Sequence, residues 1–285
     1  MESFEFKRVE VEPGISLATW MLRGSGTPFL LVHGLSSNAR LYDGVAHKLS
    51  ELGHHCVSLD QRGHGQSDKP DSGYDFKTIT DDLHSVIVKL SLKRAILVGQ
   101  SWGGNVVLEH AKRFPSEVAG IALIDGGWLE PSFIFDTWEE CSKVLAPPNL
   151  AGTSETLLKK LIQASHRDWS AEAIEATMAN MEVLSDGTVR PWLGIDNHMQ
   201  ILRALYDHHP SKIYQDIGAP VLLIPAESAR ENFPGKRNAI DGAENALKKS
   251  KVHWFSPADH DVHAQHPKEV ANLLHAQVVE GFFDR

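Results

Sequence analysis

Short apolar runs bounded by glycine, proline or polar residues recur along the chain and alternate with segments of helical periodicity. Uninterrupted runs of this length are typical of strands buried on both faces of a parallel sheet, and their alternation with helices favours β-α-β units. The pattern predicts an α/β fold, with a mostly parallel central sheet of about eight strands flanked by helices. The expected strands are Phe4–Val11 and Ile15–Leu22, which form a hairpin, Pro28–His33, His55–Asp60, Arg94–Gly99, Ala119–Asp125, Pro220–Ile224 and Lys251–Phe255.

Helical periodicity is clearest in three segments. In the first, Leu83, Ile87 and Leu90 fall on one face, and Thr78 or Thr80 is expected to cap the helix. The second is expected to end before Pro115, because proline does not continue a helix. The predicted helices are Thr80–Leu90, Trp102–Phe114 and Lys268–Phe283.

The alternation of strands and helices stops after Asp125 and resumes at Pro220. About ninety residues of mostly helical pattern are too long for a plain loop, so we interpret this segment as an inserted helical lid. The expected division is a core of residues 1–127 and 216–285 with a lid of residues 128–215. The lid contains four of the seven tryptophans, which are expected either to line an apolar pocket or to pack the lid on the core: Trp128, Trp138, Trp169 and Trp192.

Composition narrows the function classes. A chain of 285 residues with 42% hydrophobic and 23% charged residues has the balance of a soluble globular protein. The net charge of -9 argues against the basic surface that nucleic acids and anionic membranes require. We therefore expect no nucleic-acid or membrane partner.

Two cysteines, Cys56 and Cys141, are too few and too far apart for a disulfide framework or a zinc-type pairing. The first ten residues lack the apolar core of a signal peptide, and no run approaches the roughly 18 apolar residues that span a membrane. These features favour a cytoplasmic location.

The strongest chemical signal is a Gly-x-Ser-x-Gly motif formed by Gly99, Ser101 and Gly103, placed where an apolar strand stops and a helix begins. A serine in this tight turn occupies strained backbone, and glycines two positions before and after it avoid collision. The helix N-terminus also favours negative charge that develops nearby. Ser101 is therefore the expected nucleophile. The alternative, a plain helix cap, does not account for the glycines.

With this motif the chain resembles the α/β-hydrolase superfamily, specifically its lid-bearing, esterase-like branch. The family's His-Gly turn is present at His33 and Gly34, and its Asp-x-x-Gly-x-Gly-x-Ser turn runs from Asp60 to Ser67. The resemblance implies that the backbone N–H groups of Leu35 and Trp102 form an oxyanion hole. For His33 and Asp60 we prefer a structural role in the turns.

Sixteen histidines make abundance uninformative, so position must identify the base. The resemblance implies a catalytic histidine in the loop after the last strand, which is His260 here. The family's glycine before it is replaced by Asp259. The alternative of a metal site is less favoured, because the family segment explains the spacing without one. That site would be built from Asp259, His260, Asp261, His263 and His266.

The acid that orients the base departs from the family pattern, because Ala229 stands where most relatives have aspartate. Asp125, at a position that some relatives use, and Glu227, near the usual turn, are the two replacements. Either carboxylate could hold the imidazole if it reaches Nδ1. We favour Asp125 and keep Glu227 open.

This reading predicts a serine hydrolase that cleaves a carboxylic ester or related acyl bond of a small to medium apolar substrate through an acyl-enzyme. Lactonases, carbon-carbon bond hydrolases, perhydrolases and a non-catalytic ligand-binding sensor of the same fold remain alternatives. The expected partner is a small molecule. No cofactor or metal is implied, and the sequence does not indicate an oligomeric state.

Overall fold

The computed structural model describes residues 3–150, 152–228 and 235–284. Ten strands occur in these segments. They are β1 (Glu5–Glu12), β2 (Ile15–Leu22), β3 (Pro28–Val32), β4 (His55–Leu59), β5 (Ala95–Gln100), β6 (Val118–Ile124), β7 (Met181–Val183), β8 (Val189–Pro191), β9 (Val221–Ile224) and β10 (Ser250–Val252).

Eight of the strands form one sheet in the order β1-β2-β4-β3-β5-β6-β9-β10. Strand β2 runs antiparallel to both of its neighbours, and the other neighbouring pairs are parallel. The predicted fold class, a mostly parallel sheet of about eight strands, is therefore confirmed.

The helices are α1 (Asp43–Glu51), α2 (Phe76–Lys89), α3 (Trp102–Arg113), α4 (Trp138–Val144), α5 (Glu155–Ser165), α6 (Ala171–Met178), α7 (Ile195–Asp207), α8 (Lys236–Ala246), α9 (Val262–Gln265) and α10 (Pro267–Val279). Helix α1 packs against α10 on one face of the sheet, and α2 packs against α3 on the other face.

The sheet is buried on both faces. Side chains that alternate along β3 divide between two hydrophobic cores, with Leu30 in one and Leu31 in the other. The first core includes Leu83 of α2, and the second includes Leu274 of α10. Because both faces are covered, the strands read as continuous apolar runs rather than alternating ones.

Two helix boundaries differ from the sequence prediction by more than one residue. Helix α2 begins four residues early, at Phe76, because Asp75 is its N-cap and accepts a hydrogen bond from the Thr78 backbone N–H, so neither Thr78 nor Thr80 caps it. The last helix ends at Val279 rather than Phe283. Gly281 follows with φ of 70°, a left-handed conformation that ends helices.

The segment between β6 and β9, which we call the β6–β9 connection, contains α4 to α7. It also contains a two-stranded hairpin, β7 and β8, that the sequence pattern did not predict. Each strand has only three residues, too few to show periodicity.

Candidate active site

The site lies at the carboxyl edge of the sheet, where four parallel strands end at the same level. Gly99 of β5 pairs with Val32 of β3, and Ile124 of β6 pairs with both Gln100 and Ile224. The residues that follow these strand ends are therefore brought together. In α/β proteins, ligands bind at this edge.

Ser101 occupies the turn between β5 and α3 with φ of 52° and ψ of -126°, an uncommon conformation for a residue with a side chain. The turn is tight: a Cβ on Gly99 would lie 2.3 Å from the carbonyl oxygen of Gly103. The strain and the close glycine packing both match what the motif predicts.

The loop after β3 packs directly on this turn. A Cβ on Gly34 would lie 2.9 Å from the Cβ of Ser101 and 2.4 Å from Oε1 of Gln100, so only glycine fits there. Leu35 follows in this loop and is half-buried, while Trp102 is buried at the first position of α3. Within the described part of the chain, no acceptor takes the backbone N–H of either residue. Both candidate oxyanion donors thus lie in segments that adjoin Ser101.

His33 holds the loop in place as a neutral side chain. Its Nε2 accepts from the backbone N–H of Gln61 at 3.0 Å, so its Nδ1 donates to the carbonyl oxygen of Gly34 at 2.7 Å. Burial lowers the pKa of His33 to about 4. These contacts give His33 the structural role that the sequence favoured.

His64 supports the same loop, and the sequence did not single it out. Its Nε2 accepts from the backbone N–H of Ser36 at 3.3 Å, and its ring stacks on the indole of Trp102. Burial lowers the pKa of His64 well below its usual value. Its place within the turn that begins at Asp60 is the signal that could have identified it.

Asp60 ties two loops together through backbone groups. One carboxylate oxygen accepts from the N–H of Ala39 at 2.8 Å and the other from the N–H of Gln66 at 2.7 Å. Asp60 therefore acts in turn stabilisation, as the sequence suggested.

Asp125 and His260 meet beside the Ser101 turn. Oδ2 of Asp125 lies 2.7 Å from Nδ1 of His260, and Oδ1 accepts from the backbone N–H of Ala226 at 3.0 Å. Gln100, the residue before Ser101, donates from Nε2 to the carbonyl oxygen of His260 at 3.5 Å, which joins the His260 loop to the turn.

Burial alone would raise the pKa of Asp125, which is 5% exposed. The hydrogen bond and charge of His260, together with the charge of Lys236, outweigh burial and hold the pKa of this carboxyl below its usual value. Asp125 is thus kept ionised next to the imidazole.

Glu227, the other candidate acid, uses its two carboxylate oxygens for contacts with Ser256 and Arg237. It accepts from the hydroxyl of Ser256 at 2.9 Å and forms an ion pair with Arg237. The hydrogen bond from Ser256, followed by that from Arg237, lowers the pKa of Glu227. Ala229 lies outside the described residues.

Asp259, which replaces the family's glycine, contacts the β6–β9 connection. Its Oδ2 accepts from Nε1 of Trp169 at 3.2 Å and lies 3.4 Å from Nδ1 of His166. Trp169 is buried among residues that include Leu41 and Ala264 of the core. Asp259, which precedes His260, therefore links the histidine loop to this connection.

A second contact links the connection to the loop after β3. Nδ1 of His198, on α7, lies 2.9 Å from the hydroxyl of Ser36. Since Ser36 follows Leu35, the contacts of His198 and Trp169 reach both loops that border Ser101.

No three histidine, cysteine, aspartate or glutamate side chains in the described ranges are grouped so that they could hold a metal ion. No helix there combines the length and apolar character needed to cross a membrane.

Comparison with known proteins gives a consistent family. The profile of the alpha/beta hydrolase family matches residues 29–273. The chain is 30% identical over 209 residues to 2-(acetamidomethylene)succinate hydrolase of Mesorhizobium japonicum, covering 73% of each chain. It is 24% identical over 265 residues to the AB hydrolase superfamily protein YisY of Bacillus subtilis, covering 88% of this chain and 91% of that protein.

Solved structures extend the likeness to nearly the whole chain. A crystal structure of E-2-(acetamidomethylene)succinate hydrolase matches with a TM-score of 0.78 and 25% identity, covering 97% of this chain and 99% of that chain. A thioesterase domain from the curacin biosynthetic pathway matches with a TM-score of 0.77 at 18% identity, covering 96% and 99%. The second likeness concerns the fold alone.

Proposed function

The chain belongs to the alpha/beta hydrolase family, and we propose that it is a serine hydrolase that cleaves a carboxylic ester or related acyl bond. Ser101 is the nucleophile, His260 the general base and Asp125 the acid that orients the base. The backbone N–H groups of Leu35 and Trp102 form the oxyanion hole.

The contact between Nδ1 of His260 and Oδ2 of Asp125, at 2.7 Å, is the observation that carries this proposal. An ionised Asp125 accepts a hydrogen bond from Nδ1–H, which leaves Nε2 as the unprotonated nitrogen that can act as a base. That tautomer, beside a serine in a strained turn, is the arrangement that nucleophilic catalysis requires.

In the first half-reaction, Oγ of Ser101 attacks the acyl carbon while its proton moves to Nε2 of His260. The carbonyl oxygen becomes negative and accepts from Leu35 and Trp102, two backbone donors that need no reorganisation. The intermediate collapses, and the leaving group takes the proton from His260. A water molecule, deprotonated by His260, then attacks the acyl carbon. The acid product leaves as Oγ of Ser101 takes that proton back from His260.

We infer further that residues 128–215 act as a lid over this site, with residues 1–127 and 216–285 as the core. Support comes from two contacts that this segment makes beside Ser101, His198 with Ser36 and Trp169 with Asp259. Trp128 and Trp169 are buried against core residues, whereas Trp138 and Trp192 are half-buried. An apolar acyl group of small to medium size fits such surroundings.

Two buried free cysteines, Cys56 and Cys141, are compatible with the cytoplasmic location expected from the sequence.

The direct test is hydrolysis of p-nitrophenyl acetate, butyrate and octanoate by the wild type and by Ser101→Ala. We expect turnover by the wild type and a loss of roughly 10³-fold or more in the variant, because the nucleophile is removed. Ser116→Ala, which changes an exposed serine, is the matched control and should retain activity.

Labelling with a fluorophosphonate separates the nucleophile from the choice of substrate. Labelling that Ser101→Ala abolishes, without ester turnover, would retain the serine mechanism and reject simple esters as substrates. Neither labelling nor turnover by the folded wild type would reject the serine hydrolase proposal in favour of a ligand-binding protein.

A further inference from the structure

Helix α8 begins with two adjacent cations, Lys236 and Arg237. Its first turn contains no acidic residue, and its N-cap, Gly235, provides no side-chain hydrogen bond. The N-terminus of a helix carries partial positive charge, so cations there are unfavourable unless anions lie nearby. We therefore expect anionic groups outside the helix to contact these two cations.

Each cation contacts a different carboxylate. Nζ of Lys236 lies 2.5 Å from Oδ1 of Asp125 and also donates to the carbonyl oxygen of Ala226 at 2.5 Å. Arg237 pairs instead with Glu227, the other candidate acid. Adjacent positions of one helix thus bind the two carboxylates that the sequence leaves as alternatives.

We propose that Lys236 is a positioning residue for the Asp125–His260 pair: it fixes the carboxylate in the orientation that accepts from His260 and takes up part of its negative charge. The proposal rests on the function assigned to this pair in the previous subsection.

The orientation follows from how the two carboxylate oxygens are bonded. Oδ1 of Asp125 accepts from Lys236 and from the backbone N–H of Ala226, and Oδ2 accepts from His260. Because Lys236 is also bonded to the carbonyl oxygen of Ala226, the ammonium has two fixed acceptors. Rotation of the carboxylate would break contacts on both of its oxygens, so Oδ2 stays directed at the imidazole.

The charge effect acts on the protonated form of His260. A carboxylate stabilises an imidazolium, and a neighbouring ammonium reduces that stabilisation. Removing the Lys236 charge is therefore expected to favour the protonated form of His260. Among the described residues, the charged or titratable groups around the pair include Asp259, Asp261, His263, His166, Glu227 and Arg237.

The test compares Lys236→Gln, Lys236→Met and Arg237→Gln in the full chain. Arg237→Gln is the matched control. It removes a positive charge from the same helix turn, but Arg237 pairs with Glu227 rather than with Asp125. The primary readout is NMR titration of the His260 imidazole, which needs no substrate and is assigned with His260→Gln. The second readout is the pH dependence of kcat/KM on a p-nitrophenyl ester.

We expect the His260 titration midpoint to rise by about 0.5 to 1 pH unit in both Lys236 variants and to stay unchanged in Arg237→Gln. The acidic limb of the kcat/KM profile should move by the same amount. Lys236→Met, which also removes the hydrogen bond, should lower kcat about tenfold more than Lys236→Gln.

An unchanged midpoint in both Lys236 variants, or an equal rise in Arg237→Gln, would overturn the proposal. Since the titration is independent of turnover, a shifted midpoint in a protein without esterase activity would support the role of Lys236 in the pair while rejecting the proposed reaction.

Discussion

At the scale of single residues, the backbone at Ser101 has a stability cost that can be measured. Its φ of 52° and ψ of -126° suit glycine far better than a residue with a Cβ. Ser101→Gly should therefore raise the free energy of unfolding by about 1 kcal/mol relative to Ser101→Ala, although both lack the hydroxyl.

Thermal and urea unfolding of these two variants measure the difference. Because both variants remove the same Oγ, any hydrogen bond of the hydroxyl cancels between them. Equal stabilities would mean that the strain is no larger than the extra conformational entropy that glycine loses on folding.

The two candidate acids make opposite predictions for activity. Asp125→Asn should lower kcat by roughly 10³ to 10⁴-fold, because an amide no longer fixes the Nδ1–H tautomer or stabilises the imidazolium. Glu227→Gln should stay within about twofold of the wild type, since an exposed ion pair contributes little. Ester hydrolysis at matched folded concentration measures both, and a large loss in Glu227→Gln alone would transfer the role to Glu227.

Residues whose function depends on local sequence could be predicted, and those that act through distant contacts could not. The glycines around Ser101 predict the turn because strain is a property of neighbouring positions. Lys236 carries no comparable signal: 111 positions separate it from Asp125 (236 - 125 = 111), and only the fold brings the two together. Asp125 was preferred over Glu227 by resemblance, and the contact with His260 distinguishes them geometrically.

At the scale of elements, the β6–β9 connection is attached to the histidine loop by the hydrogen bond from Trp169 to Asp259. Trp169→Phe keeps the ring but removes the N–H donor. A hydrogen bond to a charged acceptor contributes about 1.5 to 3 kcal/mol, so residues 259–263 should exchange their amide protons at least about tenfold faster.

Hydrogen exchange followed by mass spectrometry measures this change. Trp138→Phe is the control, because the Trp138 ring packs against Tyr206 within the connection, and its exchange at residues 259–263 should match the wild type. Unaltered exchange in Trp169→Phe would mean that other contacts hold the loop.

Elements with strong periodicity were predicted well, and short elements were not. The central strands are fully buried, so their apolar runs are unambiguous. The expected strand Lys251–Phe255 is reduced to Ser250–Val252, although Phe255 still forms an isolated bridge with Ala226. Helix α9 has only four residues, and the sequence pattern does not predict it because one turn carries no periodic signal.

At the scale of the whole molecule, buried neutral histidines should limit stability in acid. Burial lowers the pKa of His33 to about 4 and that of His263 to about 3. The unfolded chain binds protons at these side chains below about pH 6.5, whereas the folded chain does not until near pH 4 or 3. The contribution of these two histidines to the free energy of unfolding is therefore complete above pH 6.5. It is lost as pH falls, by about 1.4 kcal/mol per pH unit for each histidine.

His263→Phe tests this sign. The His263 ring lies on Tyr42, and neither of its nitrogens has a hydrogen-bond partner in the described part of the chain. Urea unfolding at pH 7, 6 and 5 should show a shallower decline in the variant, by about 1.4 kcal/mol per pH unit. His253→Gln, at an exposed position, is the control, and an equal slope in wild type and His263→Phe would contradict the argument.

The contact between Asp125 and His260 joins positions 135 residues apart. During synthesis, Ser101 and Asp125 leave the ribosomal exit tunnel long before His260 is added to the chain. The tunnel also covers the most recently added residues. Because domains fold as their segments emerge, the nascent chain can assemble its first strands while it lacks a base. Under the proposed mechanism, a nascent chain cannot hydrolyse acyl bonds until His260 has left the exit tunnel and reached Asp125.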